Sequence, residues 1–148
     1  MSSNAYFFAA LFIGAAFACQ PGINGVAAKA LGSPWPATVL SVGITIVVSV
    51  IIMLATRTTP SIQALSALPW WIVLGGFIGV LVVAGGAAIV PVTGAALFFV
   101  CLIAGQLAGS VILDQIGAFG HQVREISTTR ILGVGLTFAG VLLVRFST

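Results

Sequence analysis

The sequence predicts an all-α integral membrane protein with five transmembrane helices, and three observations carry that prediction. Only 5% of the 148 residues are Asp, Glu, Lys or Arg, against 60% hydrophobic, where a soluble domain carries about 25% charged residues. The few charges stand where apolar runs end. The length suits about five spans of roughly 20 residues with short connections. A surface this poor in charge cannot stay dispersed in water, so lipid is the solvent. The chain then reads as a single five-helix membrane domain over 1–148, with helices at about 4–30, 35–56, 69–89, 93–116 and 129–146. A polar group inside such a run is costly unless it is paired or wet, and those groups are the candidates for function.

The first run starts near Asn4 and can stay helical to Ala30. No Lys or Arg precedes Lys29, so it lacks the basic segment of a signal peptide and reads as an uncleaved span. Pro21 removes one backbone donor and its ring crowds the preceding turn, so a kink is expected between Gln20 and Asn24. Gly32-Ser33-Pro34 ends the run, and a second follows from Trp35 to Thr56, closed by Arg57. The segment Thr58 to Leu68 looks water-exposed. Pro69 restarts a helix, with Trp70 and Trp71 at interface depth. That third run reaches Ile89, and Val90-Pro91-Val92 is expected to form a short hairpin into the fourth, Thr93 to Ile116. After a polar loop holding His121, Arg124 and Glu125, the fifth run lies between Arg130 and Arg145. The residues between those two arginines span only about 21 Å at 1.5 Å each, so both must reach outward to the headgroups.

With five crossings the termini lie on opposite sides. Arg57, Arg124 and Arg130 fall on the N-terminal side, here called side A, and Lys29 and Arg145 on side B. Three against two is a weak bias under the positive-inside rule. It slightly favours a cytoplasmic N-terminus, and it is also the pattern of a chain that inserts in both orientations. Net charge of +3 from so few groups makes no basic face for nucleic acid. Cys19, Cys101 and His121 have no metal-ligand spacing, and both thiols read as small buried hydrophobes. No nucleophile–base pair, phosphate loop or carboxylate pair appears, so no enzyme, cofactor or metal is expected.

The polar residues fall into stripes at helical spacing. Thr38, Ser41, Thr45 and Ser49 share one face of the second run, and Gln106, Ser110 and Asp114 one face of the fourth. Gln20 and Asn24 stand one turn apart in the first. Hydroxyls in membrane helices often bond the carbonyl four residues back and serve only packing. Amides satisfy themselves less easily, having two donors and an acceptor, so Gln20, Asn24 and Gln106 are the stronger candidates to line a pathway. Asp114 is expected to form an interfacial ion pair with Arg124 or Arg130; a proton- or cation-coupling role is the sharper alternative. No carboxylate lies at mid-membrane, which argues against simple proton-coupled export of bulky cations. Glycines at 75, 79 and 86, at 105 and 109, and at 133 and 140 with Thr137 are expected to let helices approach closely.

Several motifs together resemble a known family. They are Gln20-Pro21-Gly22-Ile23-Asn24; Gly94-Ala95-Ala96-Leu97-Phe98-Phe99 leading to Gly105-Gln106; Asp114 with Gly117 and Gly120; and Arg130 followed by Gly133 and Gly140. Over essentially its whole length the chain resembles the five-helix, YdcZ-like branch of the drug/metabolite transporter superfamily, inner-membrane proteins of bacteria. The resemblance implies half a transporter. Such proteins occur as dual-topology chains, as oppositely oriented pairs or as fused ten-helix proteins, so two antiparallel copies would make a whole.

The resulting expectation is a multi-pass protein of the bacterial inner membrane that moves a small solute by alternating access as an antiparallel, dual-topology homodimer. The first, second and fourth helices would build a weakly polar, uncharged crevice. There Gln20, Asn24 and Gln106 would hydrogen-bond a neutral, zwitterionic or weakly polar substrate, with Ser41 and Thr45 assisting. The expected partners are the lipid bilayer, the small-molecule substrate and a second copy. A small dual-topology passive channel and a non-transporting membrane assembly subunit are the alternatives.

Overall fold

The computed structural model describes residues 3–147, and every regular element among them is helical. The elements are α1 (Ser3–Phe17), α2 (Gln20–Leu31), α3 (Pro34–Ala55), α4 (Ile62–Ser66), α5 (Val73–Thr93), α6 (Ala95–Gln115) and α7 (Thr128–Phe146), with single 3-10 turns at Trp70–Ile72 and Ala118–Gly120. Five stretches are long and apolar enough to cross a membrane: Asn4–Leu31, Pro34–Ala55, Trp70–Thr93, Ala95–Gln115 and Thr128–Phe146. The described residues form two compact units, divided between Val92 and Thr93.

In the first unit, the first span is broken. Pro21 has no N–H to bond the carbonyl four residues back, and the chain tightens before it. Ala18 N donates to both Gly14 O at 3.1 Å and Ala15 O at 3.2 Å, and Cys19 N reaches only Ala16 O, at 3.2 Å. The break therefore sits at Ala18–Cys19, just ahead of the expected Gln20–Asn24. Pro21 then occupies the first turn of α2, where its missing donor costs nothing. Gly32 ends α2 in the left-handed conformation, with φ 75°. Ser33 caps α3 by accepting from Trp35 N at 3.3 Å, and Pro34 opens it. So short a link makes α2 and α3 antiparallel neighbours, and they pack together.

The end of the third span departs from the sequence reading. Val90-Pro91-Val92 is not a hairpin: α5 continues beyond Ile89 to Thr93 with Pro91 inside its last turns, and the next helix starts at Ala95, not Thr93. Near a helix end proline removes one bond, the one to Ala87 O, and little is lost beyond it. The residue that stops the helix is Gly94, at φ 78° and ψ 157°, a conformation closed to side chains. The segment ahead of this span also holds more structure than expected. Ser61 Oγ accepts from Ala64 N at 3.1 Å and starts the one-turn helix α4. Trp70 and Trp71 open the third span and Trp35 opens the second, all three exposed.

In the second unit, α6 and α7 form an antiparallel pair. Among the covered positions of α6 are Leu97, Val100, Ala104, Leu107, Val111 and Asp114, and among those of α7 are Arg130, Val134, Thr137, Val141 and Val144; Phe98, Phe99, Leu102, Ala108, Gly109 and Gly140 are covered as well. Alternating steps of three and four residues make a coiled-coil-like seam. The link between the helices is tied to the end of α6. Arg124 N donates to Asp114 O at 2.9 Å and Ile126 N to Gln115 Oε1 at 2.8 Å. Gly117 turns the chain at φ 59°, where a Cβ would lie 2.9 Å from Val123 Cγ2 and 3.1 Å from His121 O.

Burial follows the logic of lipid rather than water. The buried hydrophobic residues are Ala28, Ala37, Ala84, Ala87, Ala104 and Phe98, while most large apolar side chains are exposed. With hydrocarbon outside, burying leucine gains little, and contact is made where residues are small. Both thiols correct the sequence reading: Cys19 and Cys101 are free and exposed, facing the protein's surroundings rather than a core. Of the glycine faces, Gly86 is buried, while at Gly75, Gly79, Gly105, Gly109, Gly133 and Gly140 a Cβ would meet nothing within 4 Å in the described chain. A close helix approach is seen at Gly25.

Candidate functional site

Gly25 lies one turn after Pro21, on the buried face of α2 with Pro21, Asn24 and Ala28. A Cβ at Gly25 would fall 3.0 Å from Pro91 Cγ and 3.7 Å from Ala87 O. The absence of a side chain is therefore what lets α2 meet the end of α5. Ala28, Ala37 and Ala87 complete this contact as one small cluster. Beside it runs a groove of about 520 Å³, lined among others by Gly22, Gly25, Val26, Lys29, Ala88 and Pro91. Ligand pockets commonly measure about 300–1,000 Å³.

Asn24 lies on the same buried face of α2, next in sequence to the lining residue Gly25 but not itself in the groove lining. It is 6% exposed, and its Nδ2 is buried without a hydrogen-bond partner. Such a donor costs about 1–3 kcal/mol, and a protein keeps one where something else is to bond it. Gln20, one turn earlier, is half-buried. Gly25, Ala87 and Pro91 escaped the sequence reading. The available signal was the spacing of Gly25 from Pro21, and it names no partner.

Two hydroxyls of the stripe, those of Thr38 and Thr45, are used locally. Thr38 Oγ1 donates to Pro34 O at 2.9 Å and Thr45 Oγ1 to Ser41 O at 3.0 Å. Thr38 is buried, Ser41 half-buried and Thr45 exposed. Ser110 behaves likewise on α6, donating to Leu107 O at 2.8 Å. A hydroxyl engaged with its own helix has given up its donor, though it can still accept.

Gln106, Asp114, Arg124 and Arg130 belong to the second unit. Gln106 is exposed on α6, between the open positions Gly105 and Gly109. Asp114 and Arg130 meet: Arg130 Nη2 donates to Asp114 Oδ2 at 3.0 Å, with the two side chains 31% and 38% exposed, arginine first. Arg124 approaches Asp114 only through its backbone N–H. Asp114→Asn removes an ion pair that is about one-third exposed, and is expected to cost about 0.2–1 kcal/mol. Thermal melting in detergent checks this, and the pH profile of solute flux should not change; loss of that profile would mark Asp114 as a coupling group.

No curated protein and no solved structure matches this chain. Residues 5–143 match the family described as "Putative inner membrane exporter, YdcZ". That match runs through all five apolar spans, across the broken first helix and the Asp114–Arg130 pair. The chain is thus a multi-pass inner-membrane protein, and it belongs to the YdcZ family of the drug/metabolite transporter type.

Proposed function

We propose that this protein moves a small, neutral or zwitterionic solute across the inner membrane by alternating access, as an antiparallel homodimer in which each five-helix chain is one membrane domain. The observation that carries the reading is Asn24, a buried amide with an unused donor beside a groove, one turn past the break in the first span. A break in a membrane helix is tolerated where the backbone faces protein or water, and broken helices are a recurring place for transport sites.

Gln106 supports the second copy. An amide exposed at the middle of a span is expensive against hydrocarbon. In an antiparallel pair, mid-depth residues of both copies come to one level, so a second copy can cover it. The open glycine faces around Gln106 allow the close approach this requires.

Flux assays in liposomes of purified protein test the proposal, with labelled sugars, amino acids and small amides as solutes. Wild type should show saturable flux for at least one of them. Gln106→Leu should still cross-link as a dimer but lose that flux. Rapid flux without saturation would identify a passive channel, and no flux of any solute an assembly subunit; either overturns the proposal. Equal flux in wild type and Gln106→Leu would make this amide interhelical glue.

A further inference from the structure

We infer that the groove between α2 and the end of α5 takes a small amphipathic carboxylate, its anionic head on Lys29 and its apolar body along Val26, Ala88 and Pro91. The inference rests on the reading of the protein as a transporter and shifts the solute proposed above from neutral to carboxylate-bearing.

The first ground is charge. Residues 1–92 contain no Asp or Glu, so Lys29 has no carboxylate in its own unit. The chain's two acids are Asp114 and Glu125. Asp114 is held by Arg130, and both acids belong to the other unit. A lysine in the last turn of a helix gains a little from the helix dipole, and its stem can reach toward headgroups. Neither accounts for its place on the wall of a groove rather than on a convex helix surface.

The second ground is the kind of polarity present. Lys29 is a donor only. Asn24, next in sequence to the lining residue Gly25, holds an unbonded Nδ2 donor. The other lining side chains, from Gly, Ala, Val and Pro, carry no polar atom. Donors without an acidic side chain, set against an apolar wall, suit an acceptor-rich anion with a hydrocarbon part. They suit a sugar less well, since the amide oxygen of Asn24 is the one side-chain acceptor near its hydroxyls, and Lys29 repels a cation.

The test uses full-length protein in nanodiscs of phosphatidylcholine, where no anionic lipid competes, with hexanoate and its neutral counterpart hexanamide as probes. Binding to the folded state raises the melting temperature. Hexanoate should stabilise wild type and Lys29→Arg, and hexanamide should not. Lys29→Gln, which keeps most of the reach without the charge, should bind hexanoate at least about tenfold more weakly, the loss of one charge-assisted hydrogen bond. Val26→Trp should fill the groove and abolish the shift while leaving Lys29 in place. Equal protection of wild type and Lys29→Gln, or equal protection by the two probes, would overturn the inference. So would Lys29-dependent protection by added phosphatidylglycerol where hexanoate gives none, since Lys29 would then be a headgroup anchor. The arms separate the two readings: Lys29-dependent binding without flux keeps the groove and sinks transport, and flux of neutral solutes with no hexanoate effect does the reverse.

Discussion

Gly25→Leu should cost the protein both its stability and its transport. Even a methyl group there would sit 3.0 Å from Pro91 Cγ and 3.6 Å from Pro91 Cδ, with the backbone oxygen of Ala87 at 3.7 Å. A proline ring and a helix backbone cannot swing aside as a flexible side chain could. Leucine adds three further carbons, so α2 has to leave the end of α5. Overpacking of this kind costs about 1–3 kcal/mol, a sizeable share of the roughly 5–15 kcal/mol that usually holds a fold. The expected result is a lower melting temperature in detergent and no saturable flux in liposomes. Gly25→Ala should fall between, because its single methyl asks Pro91 to yield only a few tenths of an ångström. A leucine variant that melts with wild type would mean that this contact does not hold the first unit together.

Asn24→Leu should move stability the other way. The wild-type side chain is buried with an unsatisfied Nδ2, and leucine has nearly its size and no polar atom. Removing the orphan donor relieves about 1–3 kcal/mol of desolvation cost, so the variant should melt higher than wild type. It should also lose saturable flux, because the donor proposed to hold the solute is gone. Higher stability with lost function is the signature of a group retained for binding rather than folding. A variant that melts lower and still transports would assign the amide to packing.

The five spans were legible because charge is so scarce that each run can be followed from one polar gap to the next. A weak point in the first span was legible at Gln20–Asn24 because proline acts on its own helix, a local effect, though the break sits just ahead of it, at Ala18–Cys19. Pro91 shows the limit of that logic. The same residue type, read as a turn, lies inside a helix, because the cost of proline depends on how much helix follows it. The true stop at Gly94 depends on a backbone conformation that many glycines could adopt. The ion pair was legible down to two arginines, and only the fold of the 116–127 link, tied back to Asp114 O and Gln115, selects Arg130 over Arg124. Spacing put Thr38, Ser41 and Thr45 on one face without saying where each hydroxyl proton goes. The meeting of Gly25 with Pro91 joins residues far apart in sequence, and no periodicity encodes it.

The tryptophans make the chain its own optical reporter of orientation. Trp35 opens the second apolar stretch and Trp70 and Trp71 the third, all exposed, so if each stretch crosses once the indoles of the two groups lie on opposite faces. Replacing Trp70 and Trp71 with phenylalanine leaves a single emitter on one face. Iodide added outside sealed vesicles then reaches Trp35 only in copies that present side B outward. In cell-derived inverted vesicles, where insertion is set by the native machinery, the background is that of vesicles whose chain also carries Trp35→Phe; after its subtraction a chain of fixed topology should lose nearly all of the remaining emission or nearly none. A chain that inserts both ways should lose about half, with the remainder quenched only when detergent opens the vesicles.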